Sequence, residues 1–193
     1  MTDPSISKSK HDLRRSNRRM LLALALLFLG SFALAGALRF SGWRPQGLKN
    51  KGELLQPPTD LRDVSLHLSD GTAYPWSPAE RRWRILAAPA ADCRERCDKL
   101  ARDLDVVWQA LGHDRDHADV LWAGAVPASA PKTSAPRAVG PQDVLKARLP
   151  RAEAPADAVV YVIDPNGFVV LRYAPGFDPA DLRMDLSRLL KLQ

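Results

Sequence analysis

The stretch "WRILAAPAADCRERCDKLARDLDVVWQALG", residues 83–112, joins a short apolar run to an amphipathic one and holds both cysteines of the chain. The run that starts at Trp83 is typical of a buried strand. Beyond it, apolar side chains recur at steps of three and four residues, which predicts a helix with one buried face. Gly112 is suited to end that helix. The members of the apolar face are Cys97, Leu100, Leu104, Val107, Trp108 and Leu111.

The two cysteines, Cys93 and Cys97, are separated by three residues at the predicted start of this helix. That spacing places Cys97 one turn beyond Cys93 on about the same face. The two sulfurs can then form a disulfide or together hold one soft ion such as Cu(I). The positive end of the helix and the neighbouring arginines favour the reactive thiolate, whereas the neighbouring acidic side chains oppose it.

Three roles for this pair stay open at this point: a redox dithiol, a metal site and a structural bridge. A bridge that closes so short a loop removes little entropy from the unfolded chain. We therefore favour a redox or metal role for Cys93 and Cys97. This role requires that the two sulfurs lie side by side at the start of the helix, with one edge exposed to solvent.

The histidines add little to the pair. Cys93, Cys97, His113 and His117 approach the spacing of a zinc finger. However, a helix from Cys97 to Leu111 separates its ends by about 20 Å, and zinc requires all four ligands within about 2.3 Å of one point. His67, on a predicted strand, is the remaining candidate for a third ligand, although a lone strand histidine commonly faces solvent.

An uncharged apolar segment, Met20–Leu38, lies near the N-terminus and is long enough to approach the thickness of a bilayer. Six basic residues and only two acidic ones precede it, which predicts a cytoplasmic N-terminus and an exported remainder. A cleaved signal peptide is the alternative, because Ala33–Ala35 reads "ALA". We expect a basic N-terminus (1–19), a transmembrane helix (20–40), a linker (41–58) with Trp43 at the membrane interface, and an exported domain (59–193).

The net charge of +6 does not indicate nucleic-acid binding. Residues 1–51 contain ten basic and two acidic side chains, so residues 52–193 carry a net charge of −2. The basic excess therefore flanks the apolar segment, and the exported domain has no positive field that would attract phosphates.

The rest of the exported domain alternates strands and helices. Val64, Leu66 and Leu68 alternate with polar residues before the turn Asp70-Gly71, which predicts a hairpin. A second hairpin is predicted around Gly167, and a final helix capped by Asp178 follows it. Between them we expect a buried strand at 118–124, a Pro/Ala-rich insertion at 126–142 and a short helix at 143–149.

This order of elements resembles the thioredoxin fold, and its details resemble the Sco/SenC-like proteins. The resemblance extends to small membrane-anchored proteins associated with cytochrome c oxidase gene clusters. The segments that carry it are "NKGELLQPP", "RRWRILAAPAADCRERC", "ALGHDRD" and "YVIDPNGFVVLRYAPGFDPADLRMDLSRLLK". It implies an α/β fold class, namely a thioredoxin-like domain with an N-terminal transmembrane helix.

Sco-like proteins are implicated in delivering copper to the oxidase CuA site or in keeping its cysteines reduced. Their copper ligands are two cysteines, which correspond to Cys93 and Cys97, and a histidine. The position of that histidine falls near Ala156, and no histidine follows Pro127. Thioredoxin-type reductants have a cis-proline near the same strand, and Pro155 precedes that position by a few residues.

The first hypothesis from the sequence is a membrane-anchored periplasmic accessory factor in cytochrome c oxidase biogenesis, which acts through Cys93 and Cys97 on copper or on partner thiols. Its partners would be the inner membrane and oxidase subunits or assembly factors, without nucleic acid. Copper would be its only cofactor. The alternatives are a thiol–disulfide oxidoreductase and a non-catalytic scaffold with a thioredoxin fold.

Overall fold

The structure, a computed structural model, describes residues 4–41, 49–153 and 157–192. Its contacts divide the chain into two units, Met1–Leu48 and Lys49–Gln193. In the first unit, helix α1 spans Pro4–Phe40. Its segment Asn17–Phe40 has a mean hydropathy of 2.4, and it is long and apolar enough to cross a membrane. Helix α1 is therefore a candidate membrane span, and a signal sequence is the alternative with the same length and composition.

The second unit contains one eight-stranded sheet with helices on its faces. The strands are β1 (Glu53–Asp60), β2 (Leu66–Leu68), β3 (Ala73–Tyr74), β4 (Trp83–Pro89), β5 (Ala118–Ala123), β6 (Arg137–Gly140), β7 (Ala158–Ile163) and β8 (Phe168–Tyr173), and the α-helices are α2 (Arg94–Gln109), α3 (Gln142–Arg148) and α4 (Pro179–Leu189). The strand order is β1-β8-β7-β4-β5-β6-β2-β3.

Strand β4 lies at the centre of this sheet and is paired on both sides. It runs parallel to β5, with Ile85 opposite Val120, and antiparallel to β7, with Ile85 opposite Val162. All seven residues of β4 are buried. A strand that is buried on both faces is expected to be a continuous apolar run, and "WRILAAP" fits this rule except at Arg84.

Alternate residues of the strands fill two separate apolar cores. Val160 and Val162 of β7 face the core beneath α2 and α4, where both cysteines also lie. Val159 and Ile163 face the opposite core, which contains Leu145 of α3. The sheet is therefore covered on both sides.

Most of the elements predicted from the sequence are present. Both hairpins form, and Gly167 has the positive φ of 98° that its turn requires. The Asp178 side chain accepts a hydrogen bond from the Ala180 N–H at 2.9 Å, and Pro179 occupies the first turn of α4. These predictions are confirmed because they depend on turn and capping interactions between residues that are close in the sequence.

Two segments expected to be irregular contain strands instead. The predicted linker, 41–58, includes most of β1, which pairs with β8 at the edge of the sheet. Proline is tolerated on edge strands, so "QPP" does not prevent this pairing. The predicted insertion, 126–142, includes β6, which pairs with β5 and β2. Trp43 lies outside the described residues.

A buried carboxylate, Asp185 of α4, fixes the beginning of the second unit. Its Oδ2 accepts hydrogen bonds from the backbone N–H groups of Lys51 and Gly52 at 2.7 and 2.9 Å, and from the Tyr173 hydroxyl at 2.7 Å. Asp185 is 2% exposed. Burial, followed by the hydrogen bond to Asp185, raises the pKa of Tyr173 well above its ordinary value. The chain is therefore held against α4 and β8 before β1 begins.

We expect Gly52→Ala to destabilise the second unit. A Cβ at position 52 would lie 2.5 Å from Cζ of Tyr173, so the ring that bonds Asp185 would have to move. Overpacking of this kind costs about 1–3 kcal/mol, which urea unfolding of the full-length protein would detect. Lys51→Ala is the matched control, because it keeps the backbone N–H that Asp185 accepts. Equal stability of the two variants would contradict this account of the contact.

Candidate functional site

The candidate site lies where the central strand β4 ends and α2 begins. Just past the end of β4, the Ala90 N–H donates a hydrogen bond of 2.7 Å to the Asp157 carbonyl oxygen, which precedes β7. The Cys93 N–H donates to the Ala90 carbonyl oxygen at 3.3 Å, so the chain turns at once into α2. Cys93 already has helical backbone angles, φ −62° and ψ −29°. The two cysteines are therefore positioned by the sheet itself.

Cys93 and Cys97 form a disulfide, with their Cα atoms 5.4 Å apart. This separation lies within the range in which disulfides form. One helical turn therefore brings the two sulfurs together. The pair is oxidised in the structure, so neither sulfur is a thiolate.

The expectation that the pair would have an exposed edge is wrong. Cys93 is 4% exposed and Cys97 is 5% exposed. Both belong to the core beneath α2, together with Leu100, Leu104 and Trp122. The first turn of α2 packs onto the sheet on one side of the pair, and the connection between β5 and β6 packs against the same core.

Residues 124–136 connect β5 to β6, and we call this connection the strap. It packs against the same core and runs alongside α2. Val126 and Ala130 of the strap contact the core that contains both cysteines. The Ser129 hydroxyl donates a hydrogen bond to Asp98, the residue after Cys97. The pattern of the sequence did not indicate these contacts, because the segment is poor in large apolar side chains.

The strap has a second attachment two turns further along α2. The Ser134 N–H donates a hydrogen bond of 2.7 Å to Oδ1 of Asp105. Asp105 is 4% exposed, and its other oxygen accepts a hydrogen bond from the Gln109 side chain at 2.6 Å. A buried carboxylate requires such donors, since an unpaired one would be costly. Asp105 thus holds the strap against α2.

The charges around the pair are partly balanced. Arg96, between the two cysteines, lies 3.6 Å from Oδ2 of Asp157. Arg94 and Glu95 are exposed on the outer side of the first turn. Arg94 has a φ of +34°, which is uncommon for a residue other than glycine. The residue directly after Cys93 is therefore held in a strained backbone conformation, a feature that is common at functional sites.

The histidines do not complete a site with the cysteines. His113 follows α2 and is paired with Asp114 at 2.8 Å on the surface. His67 is exposed on β2, three strand positions from β4, which corresponds to about 14 Å. Ala156 and Pro155 lie outside the described residues. Within the described ranges, no group of three or more His, Cys, Asp or Glu residues is arranged to hold a metal ion.

A second cluster of charges lies at the start of β4 and β5, away from the disulfide. Asp119 accepts hydrogen bonds from the Tyr74 hydroxyl at 2.7 Å and from Arg82 at 3.3 Å, and it pairs with Arg137 at 2.6 Å. Burial, followed by the hydrogen bond to Asp119, raises the pKa of Tyr74 to about 12. The buried Arg84 contacts the Tyr74 ring in this cluster. Asp119 is the carboxylate that Arg82 and Arg137 share, whereas Arg84 donates hydrogen bonds to the Tyr74 hydroxyl and to backbone carbonyl oxygens. We assign the cluster a structural role.

This arrangement, a cysteine pair between the central strand and the following helix of an α/β domain, defines a thioredoxin-like protein. A family model described as "Transmembrane-like, thioredoxin-like, C-terminal domain" matches residues 83–193, more than half of the chain. The chain belongs to this family. No curated protein sequence matches it.

Solved structures confirm the thioredoxin-like fold, and two of the similar structures are those of Sco proteins. Yeast Sco1 with copper bound is 15% identical, with a TM-score of 0.51, and the match covers 76% of this chain and 96% of that one. BsSco, described as a member of the Sco family of cytochrome c oxidase assembly proteins with a disulfide switch, is 10% identical, with a TM-score of 0.50, and the match covers 74% and 98%.

We expect Arg94→Gly to leave the stability of the protein nearly unchanged. Relief of the positive φ, about 1–2 kcal/mol, offsets the conformational entropy that glycine loses on folding, about 0.5–1 kcal/mol. Arg102→Gly is the matched control, because Arg102 is exposed inside α2 and its φ is not positive. There the same replacement should destabilise by about 1 kcal/mol. Urea unfolding of both variants measures the two effects, and an equal loss of stability in both would contradict the strained conformation of Arg94.

Proposed function

We propose that this protein is a membrane-anchored accessory factor in cytochrome c oxidase biogenesis that exchanges electrons with partner thiols through Cys93 and Cys97. The observation that carries the proposal is the Cys93–Cys97 disulfide in the first turn of α2, directly after the central strand of a thioredoxin-like domain. A bridge that closes so short a loop contributes little to stability, so a chemical role accounts for it better than a structural one.

The proposed chemistry is reversible thiol–disulfide exchange. A partner thiolate attacks one sulfur of the pair, the other sulfur leaves as a thiolate, and a mixed disulfide forms. The second thiol of the partner then resolves the mixed disulfide, so that two electrons pass to Cys93 and Cys97 and the partner becomes a disulfide. The same steps in reverse reduce a partner disulfide. The relative potentials of the two pairs decide the direction.

The proposal includes the orientation in the membrane. The basic residues that precede the candidate span would remain in the cytoplasm, and the second unit would then be exported into the periplasm. A disulfide persists in such an oxidising compartment, whereas cytosolic reductants keep most thiols reduced. Export of the domain would therefore explain why an oxidised pair is compatible with function.

Copper is the competing cargo. Two thiolates bind Cu(I) readily, but only after the disulfide has been reduced. In the described part of the second unit, His67 lies on β2, and His113 and His117 both follow the far end of α2, so no histidine lies near the pair as a third ligand. The residues present thus do not fit a complete copper site, and we place partner thiols ahead of copper.

A scaffold without redox chemistry is the second candidate, and one observation favours it. Cys93 and Cys97 are almost fully buried, and a buried disulfide is inaccessible to a partner thiolate until some part of the structure moves. A scaffold would require the fold and the membrane anchor but not the two sulfurs. The two candidates therefore differ in whether the cysteines are needed.

The reduction potential of the pair tests the redox proposal directly. The full-length protein in detergent is equilibrated with dithiothreitol or glutathione buffers, and its free thiols are counted after alkylation. We expect a potential between about −270 and −120 mV, the range of known exchange proteins. A potential below about −300 mV would identify a structural bridge and contradict the proposal.

Cysteine variants separate the three candidates. In a strain that lacks the protein, we expect the double variant Cys93→Ser/Cys97→Ser to fail to restore oxidase activity, whereas His113→Ala, which changes an exposed histidine, restores it fully. Full activity of the double variant would support the scaffold. An anaerobic titration with Cu(I) distinguishes the cargo, because stoichiometric tight binding that is lost in Cys93→Ser would favour copper delivery over thiol exchange.

A further inference from the structure

We propose that the strap, residues 124–136, is a gate that must move away from α2 before Cys93 and Cys97 can exchange with any partner. This inference rests on the proposed function, because a gate is relevant only to a pair that reacts. It follows from three properties of the strap: its path along α2, the different strengths of its two attachments to α2, and the hydrogen bonds of its own backbone.

The strap follows α2 along one side. Its two attachment points on the helix, Asp98 and Asp105, are seven residues apart, which corresponds to two turns on nearly the same face. Ala101 lies between them on that face and is 5% exposed. Asp98 directly follows Cys97 in the helix, and Val126 and Ala130 of the strap pack against the core that contains both sulfurs, so the first attachment is the nearer one to the disulfide and the second is two turns away.

The two attachments differ in strength. The bond between Ser129 and Asp98 is at the surface, where water competes for both groups. The bond from the Ser134 N–H to Asp105 is buried, and breaking it would leave a carboxylate oxygen without that donor inside the protein. The attachment beside the disulfide is therefore the weaker one. The strap would open at Ser129 while Ser134 stays in place.

The strap can also move without unfolding. Its described backbone hydrogen bonds within the segment run from the Ala130 N–H to the Pro127 carbonyl oxygen and from the Ala135 N–H to the Lys132 carbonyl oxygen. At its base, the Gly124 N–H donates to the Val139 carbonyl oxygen of β6 at 3.1 Å. None of these three bonds joins the strap to α2. Displacement from Asp98 therefore leaves them intact, as expected of a segment that opens locally.

The test measures how fast dithiothreitol reduces the disulfide of the full-length protein in detergent. One thiolate of dithiothreitol attacks a sulfur of the pair, and its second thiol closes the six-membered disulfide ring. Two electrons and two protons thereby pass to Cys93 and Cys97. Samples quenched with a maleimide of known mass report the reduced fraction over time.

We expect Ser129→Ala to be reduced about three- to tenfold faster than the wild type, because the bond beside Cys97 is lost. Asp105→Ala, which releases the end remote from the disulfide, should be accelerated less than Ser129→Ala. Thr133→Ala is the matched control, since it removes an exposed hydroxyl of the same strap that makes none of the bonds to α2. If Ser129→Ala is reduced at the rate of Thr133→Ala, the gate is overturned.

A further variant distinguishes opening of the strap from general unfolding. Leu145→Ala removes a fully buried side chain of α3 from the opposite core and should lower global stability without altering the core that the strap contacts. We expect its disulfide to be reduced at the wild-type rate. Acceleration equal to that of Ser129→Ala would show that reduction requires global unfolding, and it would overturn the gate.

The gate and the proposed function fail in different ways. The rate of reduction by dithiothreitol depends on access to the sulfurs, whereas the potential at equilibrium and the complementation of oxidase activity depend on the role of the pair. Faster reduction of Ser129→Ala together with a potential below about −300 mV would support the gate and refute thiol exchange. A potential within the range of exchange proteins, together with unchanged reduction rates, would support thiol exchange and refute the gate.

Discussion

The central strand β4 is the constraint on which the site depends. Because it is paired with β5 on one side and β7 on the other, its end at Pro89 is fixed in the sheet. The hydrogen bond from the Ala90 N–H to the Asp157 carbonyl oxygen holds the next residue to the start of β7, and the chain then enters α2. Cys93 and Cys97 are brought together by this turn and by the rise of one helical turn. The disulfide therefore results from the architecture of the sheet and does not depend on contacts of its own.

The same architecture explains why the pair is buried. A helix that crosses from β4 to the parallel strand β5 must lie against the sheet, and the face that it turns inward carries Cys97 together with Leu100 and Leu104. The strap then lies along α2 and is bonded to it on both sides of Ala101. A reactive role and deep burial are compatible only if this cover is removable. The strap is removable because its attachment at Ser129 is weak and lies at the surface, while its firmer buried attachment at Ser134 keeps it joined to α2.

The sequence predicted those parts of the molecule that depend on neighbours along the chain. The apolar run of β4, the three- and four-residue spacing of α2, the turn at Gly167 and the cap at Asp178 are all local patterns, and each is present. The strand β1 was not predicted, because two prolines disguise an edge strand whose partner, β8, is over a hundred residues away. The burial of the cysteines was not predicted either, since it depends on the packing of distant segments. The bonds from Ser129 and Ser134 to α2 join residues about thirty positions apart and leave no periodic pattern.

The central claim is that Cys93 and Cys97 change their oxidation state while the protein works. The most direct measurement is the state of the pair in growing cells, read from the full-length protein after acid quenching and alkylation of its free thiols with a mass tag. The account predicts that both the dithiol and the disulfide are present, and that the ratio changes when assembly of the oxidase is blocked. A pair that is entirely disulfide under both conditions would contradict it.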